Sequence, residues 1–238
     1  MYDDSSPTVL KDDIDIEGAG RGRTVLRSSS GLGTVLAQGV RATVSGLTIE
    51  STAGFAIDAS NGNFVDTLRL HEVSFVVSGT PMVAGVWLTG LVEGDGVEVV
   101  MSGESYYQTV LVDGTVRLTD LTVRVSGAAC SVLRVSGDVW LSHVDVEASD
   151  CTSGTGIRSD AGSLVLDDAT IDMGEVLGGG VALQSEDTVL TSRGLTVRVT
   201  GPNTNRGVKI VSGTAFLTDA DVQVDDIAFD NAGDIVLT

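Results

Sequence analysis

Apolar and polar residues alternate along most of the chain, in short runs that meet at small polar corners. The clearest example is residues 116–125, VRLTDLTVRV. Alternation with a period of two predicts strands with one buried face, and no helical period of 3.6 competes with it. The phrase returns every 23 to 26 residues at eight positions: Leu47, Val73, Val97, Leu121, Val144, Ala169, Leu195 and Ala220. This period predicts a stack of repeated units.

Each unit contains three short strands and a Gly-rich turn. The first strand ends in the turn, as in TVLVDG, the second follows, as in TVRLTD, and the third completes the unit, as in LTVRV. Three short strands cannot close a core alone, so each must pair in parallel with its counterpart in the next unit, about 4.8 Å away. The sequence therefore predicts an all-β fold: a single parallel β-helix domain over residues 1–238, with three strands per turn and about 24 residues per turn. The crossover rule predicts a right-handed coil.

Both terminal repeats are partial. Residues 10–26 resemble a first, incomplete unit, and the final IAFDNAGDIVLT starts a unit and stops inside it. An uncapped solenoid end exposes strand edges and core residues. We therefore expect the chain to be a fragment of a longer protein or to be covered at its ends by a partner.

The third strand of each unit supplies one inward and two outward columns. The predicted inward column is Ile49, Phe75, Val99, Val123, Val146, Ile171, Val197 and Val222. The outward position before it carries mainly Thr, Asp and Glu, and the one after it mixes Arg with acids. Because like charges on neighbouring strands repel, this mixture is typical of a solvated sheet face.

The composition restricts the partners that the protein can bind. The 14 basic and 33 acidic residues give a net charge of −19. Such a field repels nucleic acid and anionic membranes. No apolar run approaches the ~18 residues of a membrane span, and residues 1–20 contain no signal peptide. We expect no membrane insertion, and an extracellular, cell-surface or virion-surface location for the parent protein.

Cys130 and Cys151 lie 21 residues apart, close to one repeat, so they belong on neighbouring turns. A disulfide requires Cα atoms within roughly 7 Å. We expect two free, buried thiols, with a bridge as the alternative.

Residues 14–26, IDIEGAGRGRTVL, resemble the early turn of pectin-lyase-like right-handed parallel β-helices, in which a strand, a Gly-x-Gly bend and a Thr-Val strand recur. The later repeats resemble the same superfamily at the level of pattern. The resemblance implies the fold and leaves the activity open, since the superfamily contains lyases, hydrolases, esterases, tailspikes and adhesins.

Motifs of the superfamily's enzymes are incomplete here. Polygalacturonase-like hydrolases carry a Gly-His-Gly, but neither His71 nor His143 is flanked by glycines. They also carry an Arg-x-Lys, whereas two residues separate Arg206 from Lys209. We therefore predict no catalytic residues, and we expect His143 to be a turn residue at a strand corner.

Three acids form the best candidate for a cation site. Asp145, Glu147 and Asp172 lie on adjacent units of one face, near Arg124 and Arg198. Clustered carboxylates suit calcium, the only cofactor that the sequence suggests, and pectate-lyase-like elimination combines such a cluster with an Arg base. The alternative is a charge-balanced surface column.

Exposed aromatic residues provide the other candidate sites. The outward column of the second strand contains Thr43, Arg69, Arg117, Trp140, Val165, Thr191 (or Leu190) and Phe216. Within it, Trp140, Val165 and Phe216 predict an apolar stripe of the kind that marks an interface. Trp87, Tyr106 and Tyr107 would form an aromatic platform for a sugar ring. The alternative is that loops cover both groups.

These observations favour a non-catalytic β-helix scaffold or binding module that contacts a glycan, such as a polysaccharide, or a sister subunit in a homo-oligomer. The alternative is a carbohydrate-active enzyme, a polysaccharide lyase or glycoside hydrolase, whose motifs have diverged.

Overall fold

The computed structural model describes residues 2–4, 6–37, 39–60, 67–78, 84–103, 108–127 and 129–238. All regular secondary structure in these residues consists of β-strands. The strands are β1 (Tyr2–Asp4), β2 (Thr8–Val9), β3 (Ile16–Glu17), β4 (Val25–Ser28), β5 (Val35–Leu36), β6 (Ala42–Ser51), β7 (Ile57–Ala59), β8 (Thr67–Ser78), β9 (Ala84–Ser102), β10 (Gln108–Ser126), β11 (Ala129–Ser149), β12 (Ser153–Glu175), β13 (Gly180–Ser185), β14 (Thr188–Thr200), β15 (Arg206–Ile210), β16 (Gly213–Thr218), β17 (Asp221–Val224), β18 (Ile227–Asn231) and β19 (Asp234–Leu237). This part of the chain contains no helix long and apolar enough to cross a membrane.

Every strand pairs in parallel with a strand one turn away, so the chain forms a parallel β-solenoid of about nine turns with roughly 24 residues per turn. In the middle of the stack, Leu121 pairs with Val97 on one side and Val144 on the other. The aligned positions of the sequence repeat are therefore the paired positions of the sheet, and the predicted fold is confirmed. The hand of the coil stays a prediction.

The strands in the middle are longer than predicted. The strands β9 to β12 each run without interruption for 19 to 23 residues, where the sequence predicts three short strands per turn. Parallel pairing continues on both sides of each corner, because only one residue there leaves the extended conformation. In β10 these residues are Gly114, with a φ of 123°, between the first and second strands, and Asp120, with a φ of 54°, between the second and third.

The inward column forms the core. Ile49, Phe75, Val123, Val146 and Val197 are fully buried. Burying one such side chain stabilises the fold by roughly 1.5–3 kcal/mol, before the entropy of ordering is subtracted. The buried residues form one continuous cluster from Leu10 to Leu217. The core thus runs along the axis of the solenoid and leaves its outward faces for function.

Cys130 and Cys151 form a disulfide, with their Cα atoms 5.6 Å apart. The expectation of free thiols was wrong, although both residues are buried as expected. The two cysteines are separated in sequence by slightly fewer residues than one turn contains. Cys151 therefore lies on the turn next to Cys130, just before the next strand begins. The bridge joins two adjacent turns.

Candidate functional site

The second strand of each turn forms a flat face with three outward columns, which we call the second-strand face. Its central column is Thr43, Arg69, Glu93, Arg117, Trp140, Val165, Thr191, Phe216 and Val236. Thr191, not Leu190, occupies this column, because Leu190 pairs with Leu164 and is fully buried. One flanking column contains Thr67, Leu91, Thr115, Asp138, Ser163, Val189, Thr214 and Asp234. The other contains Ser45, His71, Asp95, Thr119, Ser142, Asp167, Arg193 and Thr218.

The C-terminal half of the central column carries no charge. Trp140 is 51% exposed, Phe216 44% and Val236 42%, while Val165 is half-buried between its neighbours. Val189, on the flanking column, is also exposed. The structure thus places the three predicted stripe residues in one column and extends the stripe by two valines. Val236 follows Phe216 in the repeat, but Val189 lies one column aside, so counting along a single column misses it.

The N-terminal half of the same face is charged and lines a groove of about 360 Å³. Arg69 Nε lies 3.6 Å from Glu93 Oε2. Gly94 stands in the inward column between Leu70 and Leu118, whose atoms lie close to the position that a Cβ would take. The two halves of the central column therefore differ in chemistry: one is charged and lines a groove, and the other is uncharged and mainly apolar.

His71 and Asp95 pair at the edge of this groove. His71 Nδ1 lies 2.7 Å from Asp95 Oδ2. The hydrogen bond to Asp95, followed by the attraction of its negative charge, raises the pKa of His71 above its ordinary value. Both side chains are exposed, so this pair is a surface contact.

The third strands form a second groove, of about 370 Å³, whose lining includes Arg124, Glu147 and Asp172. Arg124 Nη1 donates to Glu98 Oε1 at 2.9 Å, and its Nε donates to Glu147 Oε2 at 2.9 Å. Its Nη2 lies 3.9 Å from Asp145 Oδ2. One guanidinium therefore compensates three carboxylates from the turns before and after it, which fits the predicted alternative of a charge-balanced column.

Asp145 lies beside this groove, 3.9 Å from Nη2 of Arg124, and its electrostatic environment shifts its pKa. Burial raises the pKa of Asp145 above its ordinary value, and the charges of Glu147 and Asp172 add to that effect, while Arg124 opposes it. A carboxyl group with a raised pKa beside an arginine is the one feature on the third-strand face that resembles acid–base machinery.

The predicted calcium ligands Asp145, Glu147 and Asp172 lie on this face, and two of them contact Arg124. Arg198 Nη1 lies 3.8 Å from Asp172 Oδ2. Among the described residues, no group of three or more His, Cys, Asp and Glu side chains is arranged to hold a metal ion. Calcium binding at these acids stays a prediction.

The predicted aromatic platform is only partly visible. Trp87 is half-buried, and its ring centroid lies 5.9 Å from that of Phe55. Its indole nitrogen is buried and has no hydrogen-bond partner in the described part of the chain. Tyr106 and Tyr107 lie outside the described residues. Sugar binding at these three residues stays a prediction.

Sequence reasoning missed an ionic cluster on the first-strand face. Arg134 and Arg158 are paired positions on adjacent turns, and both donate to Asp160, Arg158 at 2.5 Å. Burial alone would raise the pKa of Asp160, but the hydrogen bonds and charges of Arg158 and Arg134 outweigh it and lower that pKa below its ordinary value. Arg134 lies on one turn, and Arg158 and Asp160 lie on the next. The register that the sequence predicts does not show that these three side chains point toward one another.

His143 lies at the corner between the second and third strands, as expected, with a φ of 50°. Its two ring nitrogens face Asp120 and Asp168 on the turns before and after, at 3.3 and 3.8 Å. All three side chains are well exposed, so the geometry is that of a corner residue between carboxylates.

These features define the class of protein: a parallel β-solenoid with surface grooves on its second-strand and third-strand faces and an apolar stripe. No protein-family model matches the chain, and no curated protein matches it. Among solved structures, the chain is similar to the A-module of a mannuronan C-5 epimerase from Azotobacter vinelandii. The two are 15% identical, with a TM-score of 0.39, over 97% of this chain and 85% of that module.

Proposed function

We propose that this protein is a non-catalytic β-solenoid scaffold that binds a partner through its second-strand face. One observation carries the proposal: the central column is uncharged from Trp140 to Val236, with exposed apolar side chains, in a chain of net charge −19. A partner that covers this column removes its apolar surface from water. This burial stabilises the complex by roughly 25 cal/mol per Å².

The size of the side chains supports a binding role. Trp and Phe bury about 150–250 Å² each when covered, and aromatic residues dominate the energy of protein interfaces. Trp140 and Phe216 stand three turns apart in the column. They would anchor the two ends of a contact, with Val165 and Thr191 between them.

The pairing of charges elsewhere supports a non-catalytic reading. The glycosidase and lyase reactions require carboxylates that are free to meet a substrate. Arg124 contacts Glu98, Asp145 and Glu147, so these acids are already compensated by a cation of the protein.

A matched pair of serine variants tests the proposal. Phe216→Ser removes an anchor of the stripe, and Leu177→Ser removes a similarly exposed apolar side chain that lies outside the second-strand face. Self-association by light scattering and glycan binding on an array are measured for both variants and for the native chain. We expect binding in at least one assay, weakened about tenfold or more by Phe216→Ser and unchanged by Leu177→Ser.

The proposal is wrong if the native chain binds in neither assay. It is also wrong if Phe216→Ser binds as tightly as the native chain.

One observation favours a second candidate, a carbohydrate-active enzyme that uses the third-strand groove. Asp145, with its raised pKa, lies beside Arg124, which lines that groove. Asp145→Asn would abolish any release of unsaturated or reducing sugar ends from a panel of polysaccharides, and Asp113→Asn, at an exposed position elsewhere, would not. The absence of such release by the native chain under all conditions would rule this candidate out.

A further inference from the structure

The whole second-strand face approaches, from below, the area that a standard protein interface buries on each partner. Its central column has nine members, from Thr43 to Val236. With about 4.8 Å between strands and about 16 Å along each strand, the face covers roughly 600 Å². A standard interface buries about 800 Å² on each partner, so the whole face is needed and the apolar half alone is too small.

The geometry of the face favours another sheet as the partner. The central column from Trp140 to Val236 has one hydroxyl, on Thr191, and the flanking columns add polar groups such as Ser142, Ser163 and Asp167, so a sugar is the competing partner. A flat strand surface with side chains about 4.8 Å apart fits another flat sheet, packed face to face about 10 Å away. This chain itself provides such a sheet.

Two arrangements of two copies keep the solenoid axes aligned and place the whole uncharged half of one central column on that of the other. In a parallel arrangement, a two-fold axis runs along the solenoid and each turn faces the same turn of the other copy. In an antiparallel arrangement centred on Thr191, Trp140 faces Val236 and Val165 faces Phe216. The two arrangements bring different flanking residues together, so the charges distinguish them.

The charges of the flanking columns favour the parallel arrangement. There, each flanking column faces the other one, so Asp138 meets Ser142, Ser163 meets Asp167 and Val189 meets Arg193. None of these pairs brings like charges together. The antiparallel arrangement places each flanking column opposite itself, so Asp138 meets Asp234 and Arg193 meets Arg193, which is repulsive.

The overlap also favours the parallel arrangement. It uses all nine levels of the face, whereas the antiparallel one overlaps only from Trp140 to Val236. In the charged half, the central column alternates Arg69, Glu93 and Arg117. In register, Arg69, Glu93 and Arg117 each face the same residue of the other copy, which opposes like charges at these three levels. Glu93 limits this cost, because it lies 3.6 Å from Arg69 of its own chain and one strand spacing along the axis from both arginines of the other copy.

We infer, building on the proposed function, that the partner of the second-strand face is a second copy of this chain, parallel to the first, with the central columns in register. Trp140 then packs on Trp140 and Phe216 on Phe216 of the other copy. The interface is isologous and closes as a dimer.

Cross-linking with a short bis-maleimide tests both the partner and its orientation. The native cysteines are joined in a disulfide, so only an introduced thiol reacts. We expect Val165→Cys alone to form a covalent dimer, at least tenfold above Thr170→Cys, which places a thiol on the exposed third-strand face. An antiparallel pair would instead cross-link only when Val165→Cys and Phe216→Cys proteins are mixed.

The outcomes separate this inference from the function on which it rests. If Val165→Cys gives no dimer, or only the mixture does, the parallel dimer is wrong. If at the same time Phe216→Ser loses glycan binding, the binding scaffold stands and its partner is a sugar. If the native chain neither self-associates nor binds glycans, both ideas fail.

Discussion

At the scale of single residues, the corners between the second and third strands are the most constrained positions. Each corner residue has a φ between 50° and 66°, and the column is Gly46, Glu72, Gly96, Asp120, His143, Asp168, Gly194 and Asp219. This left-handed region is open to Gly and tolerated by short polar residues, and it is costly for β-branched ones. The recurring Asp, His and Gly at the corners therefore have a conformational cause that needs no catalytic role.

The cluster around Asp160 gives a residue-scale prediction. Its side chain is 16% exposed and joins two arginines that are each 39% exposed. Asp160→Asn removes the carboxylate that Arg134 and Arg158 share, and Arg158 keeps its contact with Glu186, 3.2 Å from its Nη2. After discounting for solvent screening at the arginines, we expect a loss of about 1 kcal/mol in the free energy of unfolding at neutral pH.

The pH dependence of that loss has a definite sign. Because the folded pKa of Asp160 is lowered, its contribution is present above the unfolded pKa and disappears as the pH falls through the folded one. Urea unfolding at neutral and acidic pH measures this, with Asp113→Asn as the control at an exposed carboxylate. The interpretation fails if both variants lose equal stability at neutral pH.

Single residues also show where sequence reasoning succeeds and where it stops. The inward column from Ile49 to Val197 was predicted correctly, because burial follows the period of two. The disulfide between Cys130 and Cys151 was not, because its formation depends on the path of the chain between two turns. The Asp160 cluster depends on side-chain directions, which a one-dimensional pattern does not contain.

At the scale of elements, the turn between the first and second strands is built on four stacked glycines, Gly90, Gly114, Gly137 and Gly162, after which Thr188 and then Gly213 occupy the same position. A Cβ on Gly114 would lie 2.6 Å from the carbonyl oxygen of Gly90. Gly114 also has a φ of 123°. Close packing and backbone conformation thus both require glycine there.

Three alanine variants separate these two requirements. Gly114→Ala combines the clash with the strained φ, and we expect it to lower the free energy of unfolding by about 2–4 kcal/mol. At Gly22, with a φ of 76° and no heavy atom within 4 Å of the added Cβ, only strain remains, for a loss of about 1 kcal/mol. Gly31→Ala meets neither problem, so its stability stays the same or rises slightly. Urea unfolding measures all three, and equal losses would contradict the account.

The elements explain why the repeat was readable in the sequence. Parallel pairing places equivalent residues of successive turns side by side, so the aligned residues Leu47, Val73 and Val97 are direct neighbours in the sheet. The same logic predicted the stripe of Trp140, Val165 and Phe216. Its extension to Val189 was missed, because the neighbouring column contributes there.

At the scale of the whole molecule, the net charge opposes the association of two chains, and the exposed apolar surface favours it. Each chain carries −19, so two chains repel at long range, while the second-strand face favours contact. Salt screens the repulsion, with a Debye length of about 10 Å at 0.1 M, and it leaves the apolar contribution in place. Self-association through this face should therefore strengthen as the salt concentration rises, and an interface held mainly by ion pairs would weaken.

Sedimentation equilibrium at about 0.05 M and about 0.5 M salt tests the central claim most directly. The samples are the native chain, Phe216→Asp, and Leu177→Asp as the matched exposed control. The account predicts a native dimer that tightens with salt, a Phe216→Asp chain that is monomeric at both concentrations, and a Leu177→Asp chain that behaves as the native one. A native monomer at high salt, or a Phe216→Asp dimer as tight as the native one, would contradict it.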